Sequence, residues 1–150
     1  MRPRRAREPT ARYAVPRRVM VDSSVLIDVL DPDPVWFEWS AKHLAPLVDE
    51  GALVINPIIY AELAAGYTTL EALDAAIAPY ALLRDALAWE AAFLASQAFL
   101  LYRKRRGAKQ LPLPDFYIGA HASLAGYALL TRDPRRYREY FPKLRLISPP

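Results

Sequence analysis

At 150 residues and 53 % apolar composition, the chain fits one compact domain with a sizeable core and is not a disordered segment. It has no cysteine and only two histidines, which excludes a disulfide framework, a cysteine-based zinc centre and a histidine-rich metal site. The net charge of +4 is unevenly spread: seven of the 20 basic residues lie within positions 1–18, so the remainder is slightly acidic.

Residues 1–18 read as a basic, flexible extension. Their arginines suit phosphate contact, but terminal charge runs are usually mobile. The domain proper is expected over 19–150. Arg18 to Val21 form a short apolar run that reads as a buried strand ending at Asp22, and Ser24 opens a short helix through Leu30. Asp31-Pro32-Asp33-Pro34 breaks the chain, and a helix with Trp36, Phe37, Leu44 and Leu47 follows, stopping near Gly51.

Ala52 to Ile55 read as the second strand. Asn56-Pro57 supplies a cap and a first-turn proline for a helix that carries Glu62 and closes at Gly66. A further helix is expected from Thr69 to Ala76, a short third strand over Tyr80–Leu83, and the longest helix from Asp85 to Arg105. The apolar stretch within it is interrupted by Glu90, Ser96 and Gln97, short of the ~18 uninterrupted apolar residues of a spanning helix. With no such segment and no cysteine, the chain reads as cytoplasmic.

Residues 106–114 form a loop, and a helix runs from Asp115 to Gly126. Tyr127 to Thr131 read as a fourth strand, Arg132-Asp133-Pro134 as a turn, and Leu144 to Ile147 as a fifth strand. Strands separated by helices predict an α/β fold: a mostly parallel five-stranded sheet with helices on both faces, in three layers.

Two aspartates, Asp22 and Asp133, stand just past the ends of strands, where ligands bind in open parallel sheets. Glu62 lies on the helix after another strand, and Asp115 opens a helix. The four can share one crevice. Hard cations such as Mg²⁺ and Mn²⁺ take oxygen ligands. Held beside a phosphodiester, they polarise the phosphate, orient an attacking water and stabilise the leaving oxygen. Each residue also has a plainer reading. Asp22 and Asp115 suit helix caps, Glu62 a helix surface, and Asp133-Pro134 a turn. Asp28 reads as structural or surface, and His121 as a packed histidine. Arg132, Arg135 and Arg136 surround Asp133 and are well placed to hold RNA phosphates.

Taken together, four segments resemble the motifs of PIN domains. They are Val21-Asp22-Ser23-Ser24, Asn56-Pro57 through Glu62-Leu63, Leu113-Pro114-Asp115-Phe116, and Leu129-Leu130-Thr131-Arg132-Asp133. The resemblance spans about residues 19–148 and is nearest in wording to VapC toxins of toxin–antitoxin pairs. It implies a PIN-like fold and a Mg²⁺- or Mn²⁺-dependent RNA endonuclease, homodimeric and blocked by a VapB-type antitoxin. It also implies that Asp22, Glu62, Asp115 and Asp133 are metal ligands or water-positioning groups. Ser24 and Thr131 become hydroxyls that hold the carboxylates or a water. A non-toxin PIN nuclease of RNA processing stays open, as does a non-catalytic module that binds antitoxin or RNA. A phosphoryl-accepting receiver domain is disfavoured, because the last strand offers Arg145 and no lysine.

Overall fold

The structure, a computed structural model, describes residues 17–106 and 113–150. The expected extension falls largely on 1–16, outside the described residues. Arg17 and Arg18 at its end touch the body: Arg17 pairs with Glu50 at 3.3 Å, and Arg18 donates to the Gly51 carbonyl at 3.3 Å.

Five short strands make the sheet: β1 (Val19–Val21), β2 (Leu53–Ile55), β3 (Leu83–Arg84), β4 (Ala128–Leu130) and β5 (Leu146–Ile147). Their order is β3-β2-β1-β4-β5, and every pairing is parallel. Strands β1 and β2 are wholly buried, as their continuous apolar runs require in a sheet covered on both faces. The chain builds outward from β1 to one edge, then crosses to the other side with β4. The switch point therefore lies between β1 and β4, and a crevice opens past their carboxyl ends.

The helices are α1 (Ser23–Leu30), α2 (Phe37–Asp49), α3 (Pro57–Ala64), α4 (Leu70–Ile77), α5 (Trp89–Arg106), α6 (Pro114–Ala125) and α7 (Arg135–Tyr140). Two begin as their sequence directs: the Asn56 side chain accepts from Ile59 N at 2.9 Å, and Thr69 accepts from Ala72 N at 3.1 Å. Gly126 ends α6 at φ +72°, a left-handed conformation that favours glycine.

Three expectations shift. The third strand sits at Leu83–Arg84, because a 3₁₀ turn occupies Ala78–Tyr80 and Ala81 turns the chain at φ +50°. Helix α5 starts at Trp89 instead of Asp85; the Asp85 N–H is spent on the Ile55 carbonyl at 2.9 Å, extending the β2–β3 pairing. And α7 follows the turn at 132–134, in a stretch that carried no element in the sequence reading.

A buried polar chain fastens α3 to α6. With its oxygen held by Ile59 N, the Asn56 amide nitrogen faces His121 Nδ1 at 3.1 Å. Nδ1 must accept, so Nε2 carries the hydrogen toward Asp85 Oδ2 at 3.3 Å, which also accepts from the Tyr127 hydroxyl at 2.7 Å. His121 is thus a packed histidine with both ring nitrogens engaged.

Candidate active site

Asp22 occupies the N-cap position of α1, yet its side chain makes no cap hydrogen bond. Aspartate at that position ordinarily accepts from the first turn. Here the carboxylate turns the other way and is 5 % exposed. Its Oδ2 accepts from the Thr131 hydroxyl at 2.8 Å and from the Tyr137 hydroxyl at 3.3 Å. Thr131 follows β4, so this bond crosses the switch point. The same Thr131 oxygen accepts from the Asp133 N–H at 3.1 Å, fixing the turn after β4.

Two further acids join through hydroxyls. Ser23 Oγ donates to Glu62 Oε1 at 3.1 Å and lies 3.5 Å from Asp22 Oδ1. The Tyr137 hydroxyl stands 3.4 Å from Asp115 Oδ1, while Arg136 donates to Asp115 Oδ2 at 2.8 Å. Asp133 is exposed, and among the described residues no hydrogen bond joins its carboxylate to the other three. It shares with Asp115 the wall of a cavity of about 300 Å³, also lined by Tyr102, Arg135, Arg136 and Tyr140.

The Oγ of Ser24, the hydroxyl that the motif implies, is buried and has no hydrogen-bond partner among the described residues. Its neighbour Ser23 makes the contacts to the acids. Sequence reasoning passed over Ser23 and Tyr137; adjacency to Asp22 was a usable signal for the first, and none existed for the second. Arg132 is engaged elsewhere. Its Nε donates to both oxygens of Asp28 at 3.0 and 2.9 Å, and its guanidinium lies over the Trp36 ring. Asp28, 1 % exposed, also accepts from Ser40 Oγ at 2.8 Å. Asp28 is therefore structural and not a surface acid.

The electrostatics record burial first and the crowding of like charge second. Burial, then the nearby Asp115 carboxylate, lifts the Asp22 pKa from 3.8 to about 6 against the opposing hydrogen bonds of Thr131, Tyr137 and the Ser23 N–H. Burial also raises Glu62, with Asp22 and Asp115 adding to it and the Ser23 hydroxyl opposing. Burial and the surrounding carboxylates push the Tyr137 phenol well above its usual value, so it remains a donor.

A pH dependence follows. Folded Asp22 keeps its proton up to about pH 6, whereas the unfolded chain releases it near 3.8. Native protein thus binds more protons across that interval, and this contribution to stability falls as pH rises from about 4 to 6, by on the order of 2–3 kcal/mol. In chelator, Asp22→Asn should gain on the original protein as pH rises through this window. Denaturant unfolding of both at pH 4.5 and 7 checks it; a constant difference would contradict it.

The donor set suits a hard divalent cation, being carboxylate and hydroxyl oxygen with no sulfur or imidazole at hand. Unneutralised charge at a buried carboxylate is what such an ion relieves. Among the described residues no three acidic side chains converge on one point as they stand. An ion drawing on three of them requires side-chain movement.

Comparison with known proteins gives the fold a name. The chain superposes on a chain of the VapBC2 complex of Rickettsia felis bound to a promoter DNA fragment, with TM-score 0.67 and 16 % identity over 88 % of this chain and 98 % of that one. It is similar to a chain of the DNA-bound VapBC of Salmonella typhimurium, with TM-score 0.63 and 21 % identity over 88 % and 98 %. It is also similar to a chain of FitAcB of Neisseria gonorrhoeae, with TM-score 0.60 and 20 % identity over 86 % and 96 %. At such identities the likeness is one of fold. A comparison with curated proteins finds no match. The profile of the PIN domain matches residues 19–141, from the first residue of β1 through the end of α7. The chain therefore belongs to the PIN domain family, whose members are generally nucleases.

Proposed function

We propose that the protein is a divalent-metal-dependent endoribonuclease and the toxin of a toxin–antitoxin pair. One observation carries the nuclease reading. A buried aspartate at the helix-capping position gives up the cap and instead joins, through the Tyr137 and Ser23 hydroxyls, to two more acids. Burying carboxylates together costs stability, so the arrangement calls for a cation.

Asp22, Glu62 and Asp115, with Asp133 at the cavity rim, would hold Mg²⁺ or Mn²⁺, which supplies a Lewis acid beside the scissile phosphodiester. The chain's own groups do the rest. Thr131 and Ser23 orient Asp22 and Glu62. Arg136 and Arg135 line the adjoining cavity, where guanidinium groups suit the phosphates of RNA. Arg132 shapes the turn that carries Asp133 through its tie to Asp28.

Two surfaces support the partners. A groove of about 480 Å³, lined by Ile27, Leu30, Leu63 and Tyr67, has Glu62 in its wall, so an occupant lying in it meets one of the four acids. That fits a VapB-type antitoxin, and the solved VapBC and FitAB relatives of this fold are complexes. The outer face of α5 leaves Trp89 90 % and Phe93 69 % exposed, with Leu100 beyond them, which supports a homodimer. Among the described residues no helix is long and apolar enough to cross a membrane; with the absence of cysteine, this supports a cytoplasmic site of action.

The test is cleavage of a mixed-sequence, 5′-labelled RNA by purified protein in Mg²⁺, in Mn²⁺ and in excess chelator. The expected result is cleavage with either ion, leaving 3′-hydroxyl ends, and none with chelator. Cleavage that persists in chelator would overturn the metal reading; cleavage of DNA but not RNA would overturn the substrate.

A further inference from the structure

We propose that the Tyr137 hydroxyl is a positioning group for the candidate metal carboxylates, holding Asp22 and Asp115 close to one another where a cation would bind. The inference rests on the metal-site reading above.

Tyr137 lies on α7, is 1 % exposed, and its ring is packed in the core. Its hydroxyl stands 3.3 Å from Asp22 Oδ2 and 3.4 Å from Asp115 Oδ1. It has one hydrogen and two nearly equidistant acceptors, so the donation is shared between them. The two acids come from distant parts of the chain, after β1 and at the start of α6. No side-chain hydrogen bond among the described residues joins them directly. Among the described residues the phenol is thus the one side-chain hydroxyl within hydrogen-bond reach of both.

A phenylalanine would fill the same ring space without burying an oxygen. A buried hydroxyl costs stability unless it is hydrogen-bonded, and here the bonds it makes are all to the acids. Its neighbours complete the clamp. Thr131 holds the same oxygen of Asp22, and Arg136, adjacent on α7, holds the other oxygen of Asp115. Among the described residues no side-chain hydroxyl comes nearer Asp22 Oδ1 than Ser23 Oγ at 3.5 Å, so this oxygen is the better placed of the two to turn to an ion. Groups that orient metal ligands in this way typically change metal affinity by about 10–100-fold when removed. The long bonds here place Tyr137 at the lower end.

The experiment is Mn²⁺ titration of the full chain by calorimetry, without RNA, for the original protein, Tyr137→Phe and Asp22→Asn. Circular dichroism confirms the fold of each, and thermal melts in chelator accompany them. Tyr137→Phe should weaken Mn²⁺ binding about tenfold. A merely structural tyrosine would lower the melting temperature in chelator and leave the Mn²⁺ Kd unchanged. That result, with Asp22→Asn losing the ion, overturns the role of Tyr137 and leaves the metal site standing. If the original protein does not bind Mn²⁺, or Asp22→Asn binds it equally well, the site reading itself falls. Should the phenylalanine variant not fold, Tyr137→Met, which also lacks the hydroxyl, carries the same expectation.

Discussion

Asp22→Asn is expected to lower RNA cleavage by on the order of a thousandfold or more while making the metal-free protein more stable. The two effects share one cause. The carboxylate is 5 % exposed and pushed up to about 6 by burial and by Asp115, so at pH 7 it is charged against its surroundings. The amide removes that charge and keeps the shape. Its oxygen can accept from Thr131 and Tyr137 where Oδ2 did, and its nitrogen then faces Ser23 Oγ, which has a lone pair to offer. The net gain should be about 1–2 kcal/mol in chelator at pH 7, less than the full electrostatic relief because charged acceptors bind hydroxyls more strongly than amides do. Mg²⁺ should stabilise the original protein by mass action and the variant far less. Melts with chelator and with Mg²⁺, alongside the cleavage assay, read both halves. If Asp22 were only a helix cap, its loss would cost about 1 kcal/mol and leave cleavage intact.

The largest loss of stability is expected from Phe116→Ala, at about 4 kcal/mol. Phe116 is fully buried on α6, and its ring meets those of Phe99, Tyr102, Tyr140 and Phe141 at centroid distances of 5.3–6.5 Å. Alanine removes the ring at the centre of this cluster. The space cannot collapse easily, since its walls come from α5, α6 and the end of α7. For a chain of this size the melting temperature should fall by about 10 °C. Asp115 precedes Phe116, and Arg136 lies over its ring, so the site should loosen as well. A change below 2 °C in thermal melts would show that the cluster repacks.

The candidate acids stood out in the sequence because each lies where a pattern changes. Asp22 follows a run of apolar residues, Glu62 sits behind an Asn-Pro helix start, Asp115 behind Pro114, and Asp133 behind a strand. Such transitions are local, and the sheet order then carries them to one end. What was not legible depends on contacts distant in sequence. Asp28 could not be resolved between a structural and a surface acid because its partners Ser40 and Arg132 lie 12 and 104 positions away. Tyr137 was invisible because α7 has six residues, too few to display a helical period among its charges. Ser24 was preferred to Ser23 on motif wording, but the position along the first turn of α1 decides which hydroxyl faces the acids. Strand β3 was misplaced by a strand of two residues beside a left-handed alanine, which no propensity announces.

The tie between Asp28 and Arg132 bears on the precision of the proposed centre. Four acids borne by four separate elements accumulate the positional error of each, as a mechanism does when every part is located from a different datum. Helix α1 removes one of those errors. Asp22 stands before its first residue, and Asp28 near its far end grips the arginine adjoining Asp133. The turn after β4 is thereby located from α1 as well as from its own strand, and two of the four acids share a datum. Drift elsewhere in the sequence can then displace the sheet edges or the outer helices without spreading Asp22 and Asp133 apart.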